Sequence, residues 1–337
     1  MLAERLKELI RARGPITFRD WMEAALYDPE FGYYNRPGLK RWGREGDYRT
    51  SAERSELFAA TFARYFAKLY EELGRPSQWT IFEAGAGDGT FAQRVQRALE
   101  ERHPRVFEAT SYQISEINKV SELPDPSHPW LYFSNELLDA FPVHRLVREG
   151  EMYVTLDAAG NFVWEAGPLS TVRLAEFLEE QSIELIEGQS IEVNLAIDNW
   201  LTSVAAKLKL GYVITVDYGA ETSELYDPTL RPDGTLRAFS KHGFVDDVLS
   251  APGEYDITSS VNWTQVKAAG ERLGLQVVEF ASQDKFLLGA GLLEELNYRL
   301  TLAKTEADKF QLTTDAREMI LPGGMASSFQ VLVQKRI

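Results

Sequence analysis

Cysteine is absent from the 337 residues, which removes disulfides, thiolate metal ligands and thiol nucleophiles from consideration. Histidine is scarce: His103, His128, His144 and His242 stand far apart, and none has zinc-ligand spacing, so no metal site is expected. No run approaches the ~20 apolar residues that a membrane span requires. The opening stretch MLAERLKELIRARG mixes charged and apolar residues at helical spacing and lacks the apolar centre of a secretory signal. Positive charge is in short supply, with 36 Lys and Arg against 51 Asp and Glu and a net charge of −15. Gripping a phosphate backbone needs clustered cations, so nucleic acid is not an expected partner. A basic ligand would be attracted instead.

What is present reads as an α/β protein. Hydrophobic residues make up 44%, enough for one large domain with insertions or two smaller ones. Residues 2–12 and 16–28 carry helical periodicity, the second with Thr17 as its N-cap. Residues 31–51, rich in glycine and aromatics, read as a long loop of the functional or lid-like kind. Thr50 and Glu53 form a candidate capping box for a helix running to Tyr70. Apolar runs then alternate with helical stretches. Strands are expected in the short apolar run that opens 79–99 and over 111–116, 130–136, 211–219 and 275–280, with a last one at the C-terminus. A β-hairpin is expected over 151–167, and helices over 171–186, 195–209 and 284–318. This alternation argues for a parallel, doubly wound sheet with an antiparallel edge. The expected division is an N-terminal helical and lid-like segment, 1–78, before a Rossmann-like core, 79–337. The core carries insertions around 150–190 and 284–320.

Two clusters carry chemistry. In EAGAGDGT, Glu83 is followed by Gly85, Gly87 and Gly89, between a strand and a helix. Alternate glycines allow a tight turn and close approach of a ligand to the backbone. A dinucleotide fingerprint spaces its last two glycines three apart. Here the spacing is two, which favours S-adenosylmethionine (SAM) over NAD. Glu116 ends the next strand, where a carboxylate can accept both ribose hydroxyls; a solvated strand-end acid is the alternative.

The second cluster is YFSNELLDAF, in which an apolar strand ends in Asn135, Glu136 and Asp139. Polar groups at the carboxyl end of such a strand face the ligand crevice and are costly there unless they meet a partner. A guanidinium fits, because its planar fork pairs with a carboxylate. A helix cap with an acidic first turn is an equal alternative. Asp217, ending the strand GYVITVDYG, reads equally as a site neighbour or a capping acid.

The chain resembles the MidA-like family of SAM-dependent methyltransferases, relatives of a mitochondrial arginine methyltransferase that helps assemble respiratory complex I. The resemblance runs nearly end to end, through ITFRDWMEAALYDPEFGYY, GDYRTSAE, EAGAGDGTF, SNELLDAFPV, IEVN, VDYG, GTLRAFSKH, EYDITSSVNW and MASSFQVL. It implies SAM binding at Glu83, Gly85, Gly87, Gly89 and Glu116, and an acceptor pocket at Asn135, Glu136, Asp139, Ala140 and Pro142. It maps the N-terminal signature onto Gly32, Tyr33, Tyr34, Gly46, Asp47, Thr50 and Ser51, a candidate lid over the cofactor. It adds Arg237, His242, Asp256 and Thr258. Departures lie in the short proline-rich segment after Glu116, at Ala59 and in the MASSF segment from Met325 to Phe329.

Protein-arginine N-methylation is the first expectation, with a protein substrate that presents an arginine, a respiratory-complex subunit among the candidates. A small-molecule methyltransferase of the same fold and a non-enzymatic assembly factor binding SAM and a partner protein are the alternatives. A cytoplasmic location is expected, and the oligomeric state is left open.

Overall fold

The computed structural model describes residues 1–36, 55–117, 120–240, 243–321 and 328–336. A central sheet of seven strands organises them. In chain order these are β1 (Trp79–Ala84), β2 (Thr110–Ser115), β3 (Trp130–Asn135), β4 (Gly211–Ala220), β5 (Val261–Asn262), β6 (Gln276–Ser282) and β7 (Phe329–Arg336). Their spatial order is β6-β7-β4-β3-β1-β2, with β5 beside the end of β4. Strands β1 to β4 run parallel, and β6 and β7 form the expected antiparallel edge.

The strands alternate as a sheet covered on both faces requires. Ile81, Leu131, Phe133 and Ile214 meet the helices Glu56–Glu72, Thr90–Arg102 and Gln283–Ala290 on one face. Phe82, Tyr132 and Val213 meet Ala196–Lys207 and Trp263–Arg272 on the other. From β1 the chain steps to β2 on one side and then to β3 on the opposite side. This reversal sets a crevice beyond the carboxyl ends of β1 and β3.

Helix Glu56–Glu72 is capped by Ser55, whose Oγ accepts the Leu57 N–H at 3.1 Å. The expected capping residues Thr50 and Glu53 lie outside the described residues. Thr17 caps the helix Phe18–Tyr27 as expected, and with Ile16 it also pairs with the strand Gly150–Leu156.

A second, antiparallel sheet was not expected beyond its hairpin. The hairpin strands Gly150–Leu156 and Phe162–Gly167 are joined by His144–Val147 and Ser190–Val193. The N-terminal helices pack here: Phe18 lies 4.9 Å from Trp164 and Trp21 lies 6.4 Å from Phe162, centroid to centroid. A short ribbon, Arg237–Ser240 paired with Gly243–Phe244 and Asp256–Thr258, completes the surroundings of the crevice. No helix among the described residues is long and apolar enough to cross a membrane.

Candidate active site

The glycine loop leaves β1 at its carboxyl end. Gly85, Gly87 and Gly89 have φ of 67°, 56° and 78°, a region that side chains strongly disfavour. The loop is tied down by N–H groups of Gly85 and Ala86 donating to the Ser115 carbonyl at 2.9 and 3.3 Å. A Cβ on Gly85 would stand 3.1 Å from Leu137 Cδ1, so loop and β3 turn touch. The helix Thr90–Arg102 starts from Gly89, with the Thr90 N–H held by Asp88 at 2.8 Å.

Glu116 comes to this loop from the end of β2. Its Oε2 accepts the Gly87 N–H at 2.9 Å and its Oε1 the Ile117 N–H at 3.0 Å. A carboxylate has about four lone-pair positions, so each oxygen can accept one more donor, as a vicinal diol would supply. Glu83, in β1 just before the loop, is 5% exposed. Tyr112 donates to its Oε2 at 2.9 Å. Burial pushes the Glu83 carboxyl up to about 8, against the Tyr112 hydrogen bond and with help from the Glu116 and Asp88 charges.

The residues after β3 form the second half of the site. Glu136 has φ of 54° although it is not glycine, while its N–H continues the sheet by donating to the Val216 carbonyl at 2.9 Å. Such a conformation costs roughly 1–3 kcal/mol and persists only where the surroundings impose it. The surroundings here are Asp217, fully buried in β4 three residues before its end. Its Oδ2 accepts the N–H groups of Leu137, Leu138 and Asp139 at 3.2, 2.9 and 3.4 Å. Asp217 therefore caps the turn after β3, and burial with the nearby Asp139 and Glu136 charges raises its carboxyl well above the usual range. The next residue, Tyr218, donates its hydroxyl to Asp139 Oδ2 at 2.5 Å. Burial raises Asp139 to about 6, with the Tyr218 bond opposing the rise. Asp139 Oδ1 and Asn135 Oδ1 are buried and have no hydrogen-bond partner among the described residues. Gly219 completes VDYG because the β5 backbone passes so close that a Cβ would fall 2.0 Å from the Val261 carbonyl oxygen.

Glu136 and Asp139 open into a cavity of about 780 Å³. Its walls are aromatic and acidic. Tyr34, Tyr218, Trp263 and Phe329 supply rings, and Glu221 and Asp256 supply further carboxylates. Tyr34 donates to Asp256 Oδ1 at 2.7 Å and stacks on Tyr27, whose hydroxyl donates to the Ala140 carbonyl at 2.9 Å. The N-terminal segment thereby reaches the turn after β3. Of the other residues singled out from the sequence, Arg237, Asp256 and Thr258 line this cavity, while Tyr33 is buried in the N-terminal core. Gly46, Asp47, Thr50, Ser51, His242 and Met325 lie outside the described residues. Sequence reasoning missed Tyr218, Tyr27 and Trp263. Tyr218 carried a signal, since it stands next to the strand-end acid Asp217.

The family described as "Putative S-adenosyl-L-methionine-dependent methyltransferase" matches residues 61–122 and 118–281. The chain belongs to this family. A Burkholderia thailandensis protein crystallised with S-adenosyl-homocysteine shares the fold with a TM-score of 0.85 and 27% identity, over 99% of this chain and 92% of that one. A "Protein arginine methyltransferase NDUFAF7 homolog, mitochondrial" of Drosophila melanogaster is 25% identical over 81% of this chain and 70% of its own length. The mouse "Protein arginine methyltransferase NDUFAF7, mitochondrial" is 24% identical over 95% of this chain and 81% of its own. The protein is thus an SAM-dependent methyltransferase with a Rossmann-like sheet. The cytoplasmic location expected from the sequence does not stand, because these curated relatives are named as mitochondrial.

Proposed function

We propose that the protein transfers a methyl group from SAM to a guanidinium nitrogen of an arginine side chain presented by a protein substrate. One observation carries this reading. In a cavity large enough for a side chain, the buried Asp139 keeps one carboxylate oxygen without a donor among the described residues, beside aromatic walls and other acids. An acceptor left unsatisfied in a buried place calls for a ligand rich in N–H groups. A guanidinium has five such donors in a plane, stays charged, and packs well on aromatic rings. The names of the curated relatives agree with that chemistry.

In this reading the glycine loop, Glu116 and the buried Glu83 hold the cofactor: the first two contact it and Glu83 supports the loop from β1, just before it. Gly46 and Thr50, from the N-terminal signature, complete that set. The bound cofactor supplies an electrophilic methyl group. Glu136 and Asp139 receive the guanidinium, with the Asn135 amide beside them, and fix the reacting nitrogen against the cofactor crevice. Positioning is the main contribution asked of them. The proton released from the methylated nitrogen passes to the carboxylates, for which Asp139, raised toward neutrality, is suited. Asp217 and Tyr218 hold these two acids in place.

The test is labelled methyl transfer from SAM to arginine-bearing peptides. Glu136→Gln is expected to lower the rate about 100-fold, the scale of a lost acid–base or orienting group. Glu136→Gly is expected to abolish transfer yet leave stability equal or higher by about 1 kcal/mol, since glycine relieves the positive φ. Full activity of Glu136→Gln on an accepted arginine peptide would sink the assignment.

A further inference from the structure

We infer that Arg237 selects substrates in which an acidic side chain lies close in sequence to the arginine that is methylated. This rests on the arginine reading above. Among the described residues the cavity is lined by the carboxylates Glu136, Asp139, Glu221, Glu224 and Asp256 and by two cations, Arg231 and Arg237. Arg231 is committed to Glu224 at 2.9 Å, and Glu221 is held by Lys267 from behind. Arg237 is exposed and makes no hydrogen bond or ion pair with its side chain among the described residues. A solvated cation on an otherwise acidic wall is placed to meet an anion that a ligand brings.

The ribbon geometry aims it inward. Arg237 pairs with Thr258 and Phe239 with Asp256 across adjacent antiparallel strands. Cross-strand partners share a face, so these four side chains stand together. Ala238 and Ile257, on the opposite face, are buried in the N-terminal core. The approach to the ribbon is also pinned. Glu192 is buried and paired with Arg145 at 2.9 Å, and it accepts both the N–H and hydroxyl of Thr235, at 2.5 and 3.1 Å. Arg237 therefore projects from a fixed support.

Beyond it the surface stays concave. A second cavity of about 490 Å³ adjoins the first and shares Glu224, Arg231 and Arg237 with it. An extended peptide whose arginine enters the acidic cavity can leave along this groove, and it must pass Arg237. A carboxylate of the peptide meets the guanidinium there as a planar, charge-assisted pair. The wall thus reads two charges of opposite sign: a cation at its floor and an anion at its rim.

The experiment uses synthetic peptides with one arginine flanked within three residues by glutamate, glycine or lysine. Binding in the presence of S-adenosylhomocysteine and methyl transfer are both measured. The wild type is expected to prefer glutamate-flanked over lysine-flanked peptides about tenfold, in KM rather than kcat, the size of one oriented charge contact at a rim. Arg237→Ala should erase the preference, Arg237→Lys should keep part of it, and Arg237→Glu should reverse it. An unchanged preference in Arg237→Ala overturns the inference while leaving arginine methylation standing. Weaker S-adenosylhomocysteine binding in Arg237→Ala without peptide also overturns it, since the cation would then serve the cofactor. If the wild type binds S-adenosylhomocysteine but accepts no arginine peptide, the arginine reading fails and takes this inference with it.

Discussion

Asp217 Oδ2 accepts the Leu138 N–H at 2.9 Å, with the neighbouring Leu137 and Asp139 N–H groups at 3.2 and 3.4 Å. A carboxylate within one strand thus shapes the turn that ends the strand beside it. Asp217→Ala would leave these buried N–H groups without an acceptor, at a cost of about 2–3 kcal/mol. The turn carries Glu136 in its disfavoured conformation, so the same change should let it relax and move both acids of the site. We expect urea unfolding to show that destabilisation, and kcat to fall at least about tenfold, because small misplacements of positioning groups are costly. Asp217→Asn, which keeps one acceptor oxygen, should recover part of both. Stability lost with kcat intact would mean that the turn needs Asp217 but the chemistry does not need the turn.

Tyr218 and Asp139 make a second prediction, about pH. A guanidinium substrate needs Asp139 ionised, and burial has raised that carboxyl to about 6. The logarithm of kcat/KM should rise with pH and level off above about 6, as the buried Asp139 loses its proton. The Tyr218 hydroxyl stabilises the charged form of Asp139. Removing it in Tyr218→Phe raises the pKa further, and the acidic limb should move upward by about one unit, the worth of a hydrogen bond to a charged group. A limb that stays in place would show that Asp139 does not govern it.

Much of this site was legible in the sequence, and the reason is local. The glycine spacing 85, 87, 89, the amide Asn135 and the acids Glu116, Glu136 and Asp139 all fall where an apolar run stops, and a strand's end is visible from its own residues. The relationships that hold the site were not legible. Asp217 and Tyr218 act on a turn nearly 80 positions earlier, and no local pattern records such a pairing. The antiparallel sheet was hidden for a different reason. His144–Val147 and Ser190–Val193 have four residues each, too few to show a period of two. Ser190–Val193 also buries Glu192, a charge that marks a strand as exposed until its partner Arg145 is known. The cap on Glu56–Glu72 was hard to read for another reason: Ser55 is followed three positions later by Phe58, so it carries no capping-box pattern.

Glu83 gives a prediction that needs no substrate. Buried in β1 just before the glycine loop, it is raised from an ordinary value near 4.5 to about 8, first by burial. The folded protein therefore keeps a proton that the unfolded chain releases. The sign follows from linkage. The stability that Glu83 contributes is complete below about pH 4.5 and is lost as pH rises through about 8. The decline can reach about 1.4 kcal/mol per pH unit for one proton. Asp139 and Asp217, also raised by burial, act in the same direction, so the difference between the wild type and Glu83→Gln isolates Glu83. Glu83→Gln cannot ionise and retains an acceptor for the Tyr112 hydroxyl. Urea unfolding of the ligand-free protein should therefore show wild-type stability falling more steeply than the variant's between pH 6.5 and 8. The variant should be the more stable of the two at pH 8. An identical fall in both proteins would mean that Glu83 is charged in the folded state. The loop after it would then rest on a buried carboxylate held by Tyr112 alone, and Tyr112→Phe should unfold the protein far more readily than Glu83→Gln does.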